Sequence, residues 1–155
     1  SLKLTREVIL EGGSTGWEKI QSIFSTVRML GGGIGLAYAA QTVYGVAAAA
    51  AALWAWRRNP GIELKGAALV TASVMATPYV LDYDLLLLAL PVAWLAGIGL
   101  REGFLPWEKT ILLAVFLLPL FSRMIGIAIH LQTAPFVMAA LLWVIMRRIA
   151  RRTAA

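Results

Sequence analysis

The chain has 155 residues, 60% of them hydrophobic and only 14% charged, with a mean hydropathy of +0.78. A soluble domain of this size has too little interior to hide so much apolar surface, so composition excludes an ordinary water-soluble globule and points to a membrane. The formal net charge is +6 and cysteine is absent. The basic residues stand at the ends of apolar runs, a pattern of membrane topology and not of a nucleic-acid-binding face, and disulfides, thiolate metal sites and cysteine nucleophiles are excluded.

The first 30 residues are polar enough to lie outside a hydrocarbon core. No basic stretch followed by a short apolar core and a small-residue cleavage site is visible, and the chain begins at Ser1, so the expectation is a piece of a longer membrane protein. Residues 1–13 fit a helix or a loop. Trp17, Ile20, Ile23, Phe24, Val27 and Leu30 then recur at helical spacing with polar residues between them. Thr15-Gly16-Trp17-Glu18 matches a capping box and Gly31-Gly32-Gly33 a helix end, so an amphipathic surface helix is predicted over 16–30.

The apolar runs follow. Residues 32–56 are 25 positions without a charge, enough for the ~20 that a crossing helix needs. They end in the aromatic and basic cluster Trp54, Trp56, Arg57 and Arg58, an interfacial anchor. Residues 66–81 and 85–100 are shorter but read as crossing helices, since Lys65 and Arg101 can snorkel outward. A fourth span begins over 110–122, and residues 131–146 make a fifth, closed by Arg147, Arg148, Arg151 and Arg152. The predicted fold is all-α: a multi-pass bundle of about five spans, with an outer-face segment at 1–31, the transmembrane bundle at 32–149 and a basic cytoplasmic tail at 150–155.

Orientation follows from the lysines and arginines. Arg57, Arg58, Lys65, Arg101, Lys109 and the four C-terminal arginines fall on one side, nine in all; Lys3, Arg6, Lys19, Arg28 and Arg123 fall on the other. The positive-inside rule makes the nine-residue side cytoplasmic. The N-terminal segment, the link around Asp82 and Asp84, and a turn at 123–132 then share the outer face.

That link, Thr77-Pro78-Tyr79-Val80-Leu81-Asp82-Tyr83-Asp84, is a polar knot between two apolar runs. Carboxylates are costly in hydrocarbon, so they sit in water or face a functional cavity. Pro78 breaks regular helix and biases Thr77 toward extended backbone. Asp82 and Asp84 read either as an acid pair contacting substrate or cation, or as a solvated loop in which Asp84 caps the next helix. Arg123 is the single basic residue within 110–130 and lies about 21 Å above Lys109 at 1.5 Å per residue. There it can bind a carboxylate or phosphate with its planar fork, or snorkel to headgroups. Arg28 and Lys19 suit an anionic lipid phosphate, which ordinary headgroup attraction explains equally well. His130, the single histidine, is a poor metal signal alone and reads as a hydrogen-bonding or interfacial residue. Gln41 and Thr42, inside the first span, suit interhelical hydrogen bonds. No phosphate-binding loop, dinucleotide glycine signature, zinc-protease motif or nucleophile elbow is present.

Several of these pieces occur together in one order. Trp17-x-Lys19-x-x-Ser22-x-Phe24-x-x-x-Arg28-x-Leu30-Gly31, Gln41, Lys65-Gly66-Ala67-Ala68-Leu69, and Thr77-Pro78-Tyr79-x-x-x-Tyr83-Asp84-Leu85 resemble the C-terminal part of glycosyltransferase family 87, multi-pass mannosyltransferases of the GT-C type. The resemblance covers roughly 16–93 by motif and the rest by hydropathy. It implies inverting transfer of a sugar, typically mannose, from a polyprenyl-phosphate donor to a lipid or glycan acceptor, at the outer face of the bacterial cytoplasmic membrane. No cofactor or metal is expected, and no nucleic acid. Members are much longer, and their presumed base is an aspartate in a first outer loop, so the catalytic base is expected outside this sequence. Tyr79, Asp82, Tyr83, Asp84, Arg28, Lys19, Arg123 and His130 are then the candidate substrate-binding residues. The leaving phosphate needs cations, for which Arg28, Arg123 or Lys19 qualify, and the polyprenyl tail needs an apolar groove. The competing expectation is a non-enzymatic transporter, channel or assembly subunit, in which intramembrane charges also mark pathways.

Overall fold

The computed structural model describes residues 19–129 and 131–154, the side chains of Arg123, Ile129 and Ala154 excepted. Among them the fold is all-helical, without strands; a single antiparallel bridge joins Ile20 to Leu81. In chain order come α1 (Ile23–Met29), α2 (Ile34–Arg58), α3 (Ile62–Ala76), a 3₁₀ helix (Asp82–Leu88), α4 (Ala89–Glu102), α5 (Glu108–Ile129) and α6 (Ala134–Ala154).

The first helix is shorter than the 16–30 periodicity predicts. Ile20 pairs with Leu81, and the Gln21 N–H donates to the Val80 carbonyl at 2.6 Å, so the backbone just before Ser22 is committed to a distant segment instead of a helical turn. Ser22 becomes the N-cap, its Oγ accepting from the Ser25 N–H at 3.2 Å. The capping box expected at 15–18 lies outside the described residues. At the other end, Gly31 (φ 83°) lets the Gly31 and Gly32 N–H groups reach the Arg28 and Val27 carbonyls at 3.1 and 2.8 Å, a Schellman-type stop.

Two further boundaries differ from expectation. The turn predicted to start at Arg123 begins later, because α5 carries Arg123 on its helical backbone and continues to Ile129. The stretch 150–155, expected as a tail, is helical to Ala154, and Arg152 Nη1 donates to the Pro60 carbonyl at 2.9 Å. In contrast α3 stops at Ala76, ahead of Thr77-Pro78, as the proline requires.

Helices α2 to α6 run alternately between two ends. One end gathers residues 20–32 and 75–84. The other gathers the α2–α3 loop, the α4–α5 loop and the C-terminal half of α6: Arg101 pairs with Glu63 at 2.7 Å, Arg147 reaches the Pro106 carbonyl at 3.3 Å, and Arg148 is buried. Between the ends the interior is built from small residues. Ala48, Ala52, Ala55, Ala67, Ala68 and Ala72 all belong to the buried core, which lets α2 and α3 approach closely. A Cβ on Gly45 would stand 3.2 Å from the Ala76 Cα, and one on Gly66 would meet the Trp94 ring at 2.9 Å.

Two prolines shape the rest. Pro91 lacks the N–H that the Leu87 carbonyl would need, and the turn before it is wound as a seven-residue 3₁₀ helix, longer than such runs usually are. Pro119 lies inside α5. Val115, Phe116 and Pro119 face Leu85, Leu86 and Ala89 across a cavity of about 90 Å³.

Among the described residues two helical segments are long and apolar enough to cross a membrane, Ile34–Arg58 and the continuous stretch Asp82–Glu102. Only 28% and 33% of their apolar windows lie buried in the protein, less than the core helix of a soluble domain would show. On α5, Leu113, Phe116, Leu120, Met124 and Ile127 form one outward stripe, each 55–68% exposed. A continuous apolar face of this kind in a water-facing protein would be an aggregation liability; against lipid it costs nothing.

Candidate functional site

At one end the N-terminal segment is sewn onto the link between α3 and the 3₁₀ helix. Gln21 is fully buried, and its Nε2 donates to Asp82 Oδ1 at 2.7 Å. Beside it Ile20, Phe24 and Ala37 form a small core of their own, with Val27, Tyr38, Tyr79 and Leu81 packed around it. The Phe24 and Tyr38 rings are tilted, 4.8 Å apart, a favourable aromatic pairing.

Gln41 holds this arrangement from below. Its Oε1 accepts from the Phe24 N–H at 3.2 Å, and its Nε2 donates to the Met75 carbonyl at 3.0 Å and the Ala76 carbonyl at 3.4 Å. The first turn of α1 has spare N–H groups and the last turn of α3 has spare carbonyls, and neither finds a partner within its own helix. One amide side chain from the N-terminal third of α2 satisfies both. Ser25 and Thr26 complete the seam: Ser25 Oγ donates to the Ile20 carbonyl and Thr26 Oγ1 to the Ser22 carbonyl, the latter at 3.0 Å.

The two aspartates have different partners. Asp84 occupies the third position of the 3₁₀ helix, and its Oδ2 accepts from the Leu81 N–H at 2.9 Å while its own N–H donates to the Leu81 carbonyl at 3.0 Å. It closes the helix start from inside the first turn, with Leu81 and not Asp84 at the N-cap. Asp84 also lines a cavity of about 260 Å³ with Thr77, Val80 and Leu87. Asp82 is tied to Gln21. Tyr79 is half-buried in the small core, and Tyr83 is 66% exposed.

The candidate cations are spread more widely. Arg28, in the last turn of α1, donates from Nη1 to the Gly32 carbonyl at 3.0 Å, which supports the helix stop. Lys19 is half-buried just before the Ile20 bridge. Arg123 sits on α5; its side chain, like all of His130, lies outside the described residues. The structure therefore brings Asp82, Asp84 and Tyr79 together with Gln21 and Gln41, and leaves Tyr83 facing outward. Among the described residues no three His, Asp or Glu side chains gather where a metal ion could bind.

Sequence reasoning did not find the buried ion pair at the opposite end. Glu108 and Arg148 are 0% and 4% exposed, and the guanidinium grips the carboxylate through Nε and Nη2 at 2.5 and 2.7 Å. Arg148 Nη2 also reaches the Gly103 carbonyl at 2.7 Å, and Glu102 bonds Arg152. No local signal marked it: Glu108 stands beside Lys109 and Thr110 at a helix start, and Arg148 is one of four arginines that follow an apolar run. Comparison with protein families, with curated proteins and with solved structures returns no match for this chain.

Proposed function

We propose that the chain is part of an integral-membrane glycosyltransferase of the bacterial cytoplasmic membrane, with about five spans, moving a sugar from a polyprenyl-phosphate donor to a lipid or glycan acceptor at the outer face. The observation that carries the reading is the assembled knot. Ser22, Phe24, Gln41, Thr77, Tyr79, Tyr83 and Asp84, which carry the resemblance, are scattered in sequence but gather at one end of the bundle through Gln41 and the Gln21–Asp82 contact. That end is opposite the nine-cation end, which the positive-inside rule makes cytoplasmic.

In this reading the knot forms a rigid rim. Both carboxylates are engaged in holding it, so neither serves as the base that deprotonates the acceptor; a base must reach the hydroxyl at hydrogen-bond distance. Arg28 and Arg123, at the same end, supply the positive charge that a departing lipid phosphate needs. A charged hydrogen bond to phosphate contributes roughly 1.5–3 kcal/mol, or about ten- to a hundredfold in rate if it tightens in the transition state.

The test is transfer from labelled polyprenyl-phosphate mannose by the full-length protein in membranes, with Arg28→Ala and Arg123→Ala at matched expression. A ten- to hundredfold loss in either variant is expected. Unchanged turnover in both removes these residues from the donor site. No turnover by the unmutated protein with any polyprenyl-phosphate sugar moves the assignment to a transporter or assembly subunit.

A further inference from the structure

The cytoplasm-facing end carries nine lysines and arginines against three carboxylates, Glu63, Glu102 and Glu108, a surplus of six that equals the net charge of the whole chain. All three carboxylates are engaged, by Arg101, by Arg152 with Arg148, and by Arg148. Several of the remaining cations are held over aromatic rings instead. Arg58 stands over Trp54 at 5.0 Å, Lys65 over Trp56 at 5.4 Å, Lys109 over Phe104 at 5.0 Å and Arg147 over Trp143 at 4.5 Å. A cation fixed on a ring keeps its full charge, and it needs an anion from elsewhere.

One of the four cations stands at the mouth of a groove. A cleft of about 400 Å³ runs between α2 and α3, walled by Ala49, Ala52 and Trp56 on one side and Leu69, Ala72 and Ala76 on the other. Lys65 lies on the same helical row of α3 as Leu69, Ala72 and Ala76 (spacings of four, three and four), so it extends that wall to the basic end. Its Nζ donates to Asn59 Oδ1 at 2.6 Å, and no salt bridge joins it to a carboxylate among the described residues. From Lys65 to Ala76 the row spans about 16 Å at 1.5 Å per residue, from the basic end to the last turn of α3. We infer that this groove is a seat for one anionic glycerophospholipid, its phosphate at Lys65 and Trp56 and an acyl chain along the alanine wall. Charge decides between headgroups: a zwitterionic lipid brings its own ammonium beside Lys65, whereas an anionic one brings only the phosphate. One lysine near the surface favours the anionic lipid about fivefold. The inference rests on the membrane reading and not on sugar transfer, so loss or absence of transferase activity leaves it standing.

The experiment places the full chain in phosphatidylcholine vesicles containing a few per cent of brominated phosphatidylglycerol or brominated phosphatidylcholine. Quenching of Trp56 is read as the difference between the unmutated protein and Trp56→Phe. Expected is about fivefold stronger quenching by the brominated phosphatidylglycerol, lost in Lys65→Ala and kept in Lys65→Arg. Ser73→Phe, at an exposed position lining the groove, should lower quenching by both lipids. Lys109→Ala, on α5, should change nothing. Equal quenching by the two lipids, retention of the preference in Lys65→Ala, or an equal loss in Lys109→Ala would overturn the seat, the last by showing only a diffuse charge effect.

Discussion

Two side chains bear more of this structure than their neighbours. Gln41 joins α1 to α3 by serving a buried amide and a buried carbonyl at once. Leucine there fills similar space and satisfies neither, and each orphaned group costs about 1–3 kcal/mol. Gln41→Leu should therefore lower the thermal midpoint in detergent, and an unchanged midpoint would mean that water or a neighbour takes over both bonds. At the opposite end, the buried Glu108–Arg148 pair is costly to break from one side only. Arg148→Met should cost about 3–5 kcal/mol by stranding a buried carboxylate, and adding Glu108→Leu should recover most of it. Loss that persists in the double variant would assign the stability to the Gly103 and Glu102 contacts of Arg148 instead. The sequence marked Gln41 as an interhelical hydrogen-bonding residue without naming its partners, and it did not mark the Glu108–Arg148 pair at all. Gln41 reads as a polar residue in a span, but its partners are backbone groups 17 and 34 positions away. Arg148 reads as one of four basic residues at a membrane edge, and nothing local marks it as the buried one.

The elements were legible where one local rule acted alone. The uncharged run of α2, its Trp-Arg anchor, and the end of α3 before Thr77-Pro78 all follow from composition or from proline sterics. They failed where a distant segment competed. The periodicity of 16–30 is real, but Val80 and Leu81 take the backbone groups of Ile20 and Gln21, and the helix retreats to Ile23. The 3₁₀ winding of Asp82–Leu88 was hidden for another reason: Pro91 acts backward along the chain, on a leucine run whose apolarity fits any helix. Weak 3₁₀ geometry predicts weak protection. Amide hydrogen exchange should be faster over 84–88 than over 92–100, and Pro91→Ala, which restores a donor for the Leu87 carbonyl, should slow it. Equal protection in the unmutated protein would show that packing of Leu85 and Leu88 into the core outweighs the strained winding.

For the whole molecule the decisive quantity is the charge difference between its two ends. These 155 residues hold no cysteine, so within them a single introduced thiol has no competitor. With the nine-cation end inside, Tyr83→Cys, at an exposed position, should react with an impermeant maleimide added to intact cells. Arg151→Cys, also exposed, should react only after the membrane is opened. The reverse pattern would invert the orientation and with it the proposed site of sugar transfer. The bridge between Ile20 and Leu81 has a consequence in time. Gln21 and Asp82 are separated by 61 positions, and a ribosome adding roughly 5–20 residues per second needs about 3–12 s to cover that interval. Until then the earliest-made residues of the knot have nothing to bind. They must wait while α2 and α3 are made and packed. This side of the knot is thus made well before the link that completes it, and in that window it is open to proteases and chaperones.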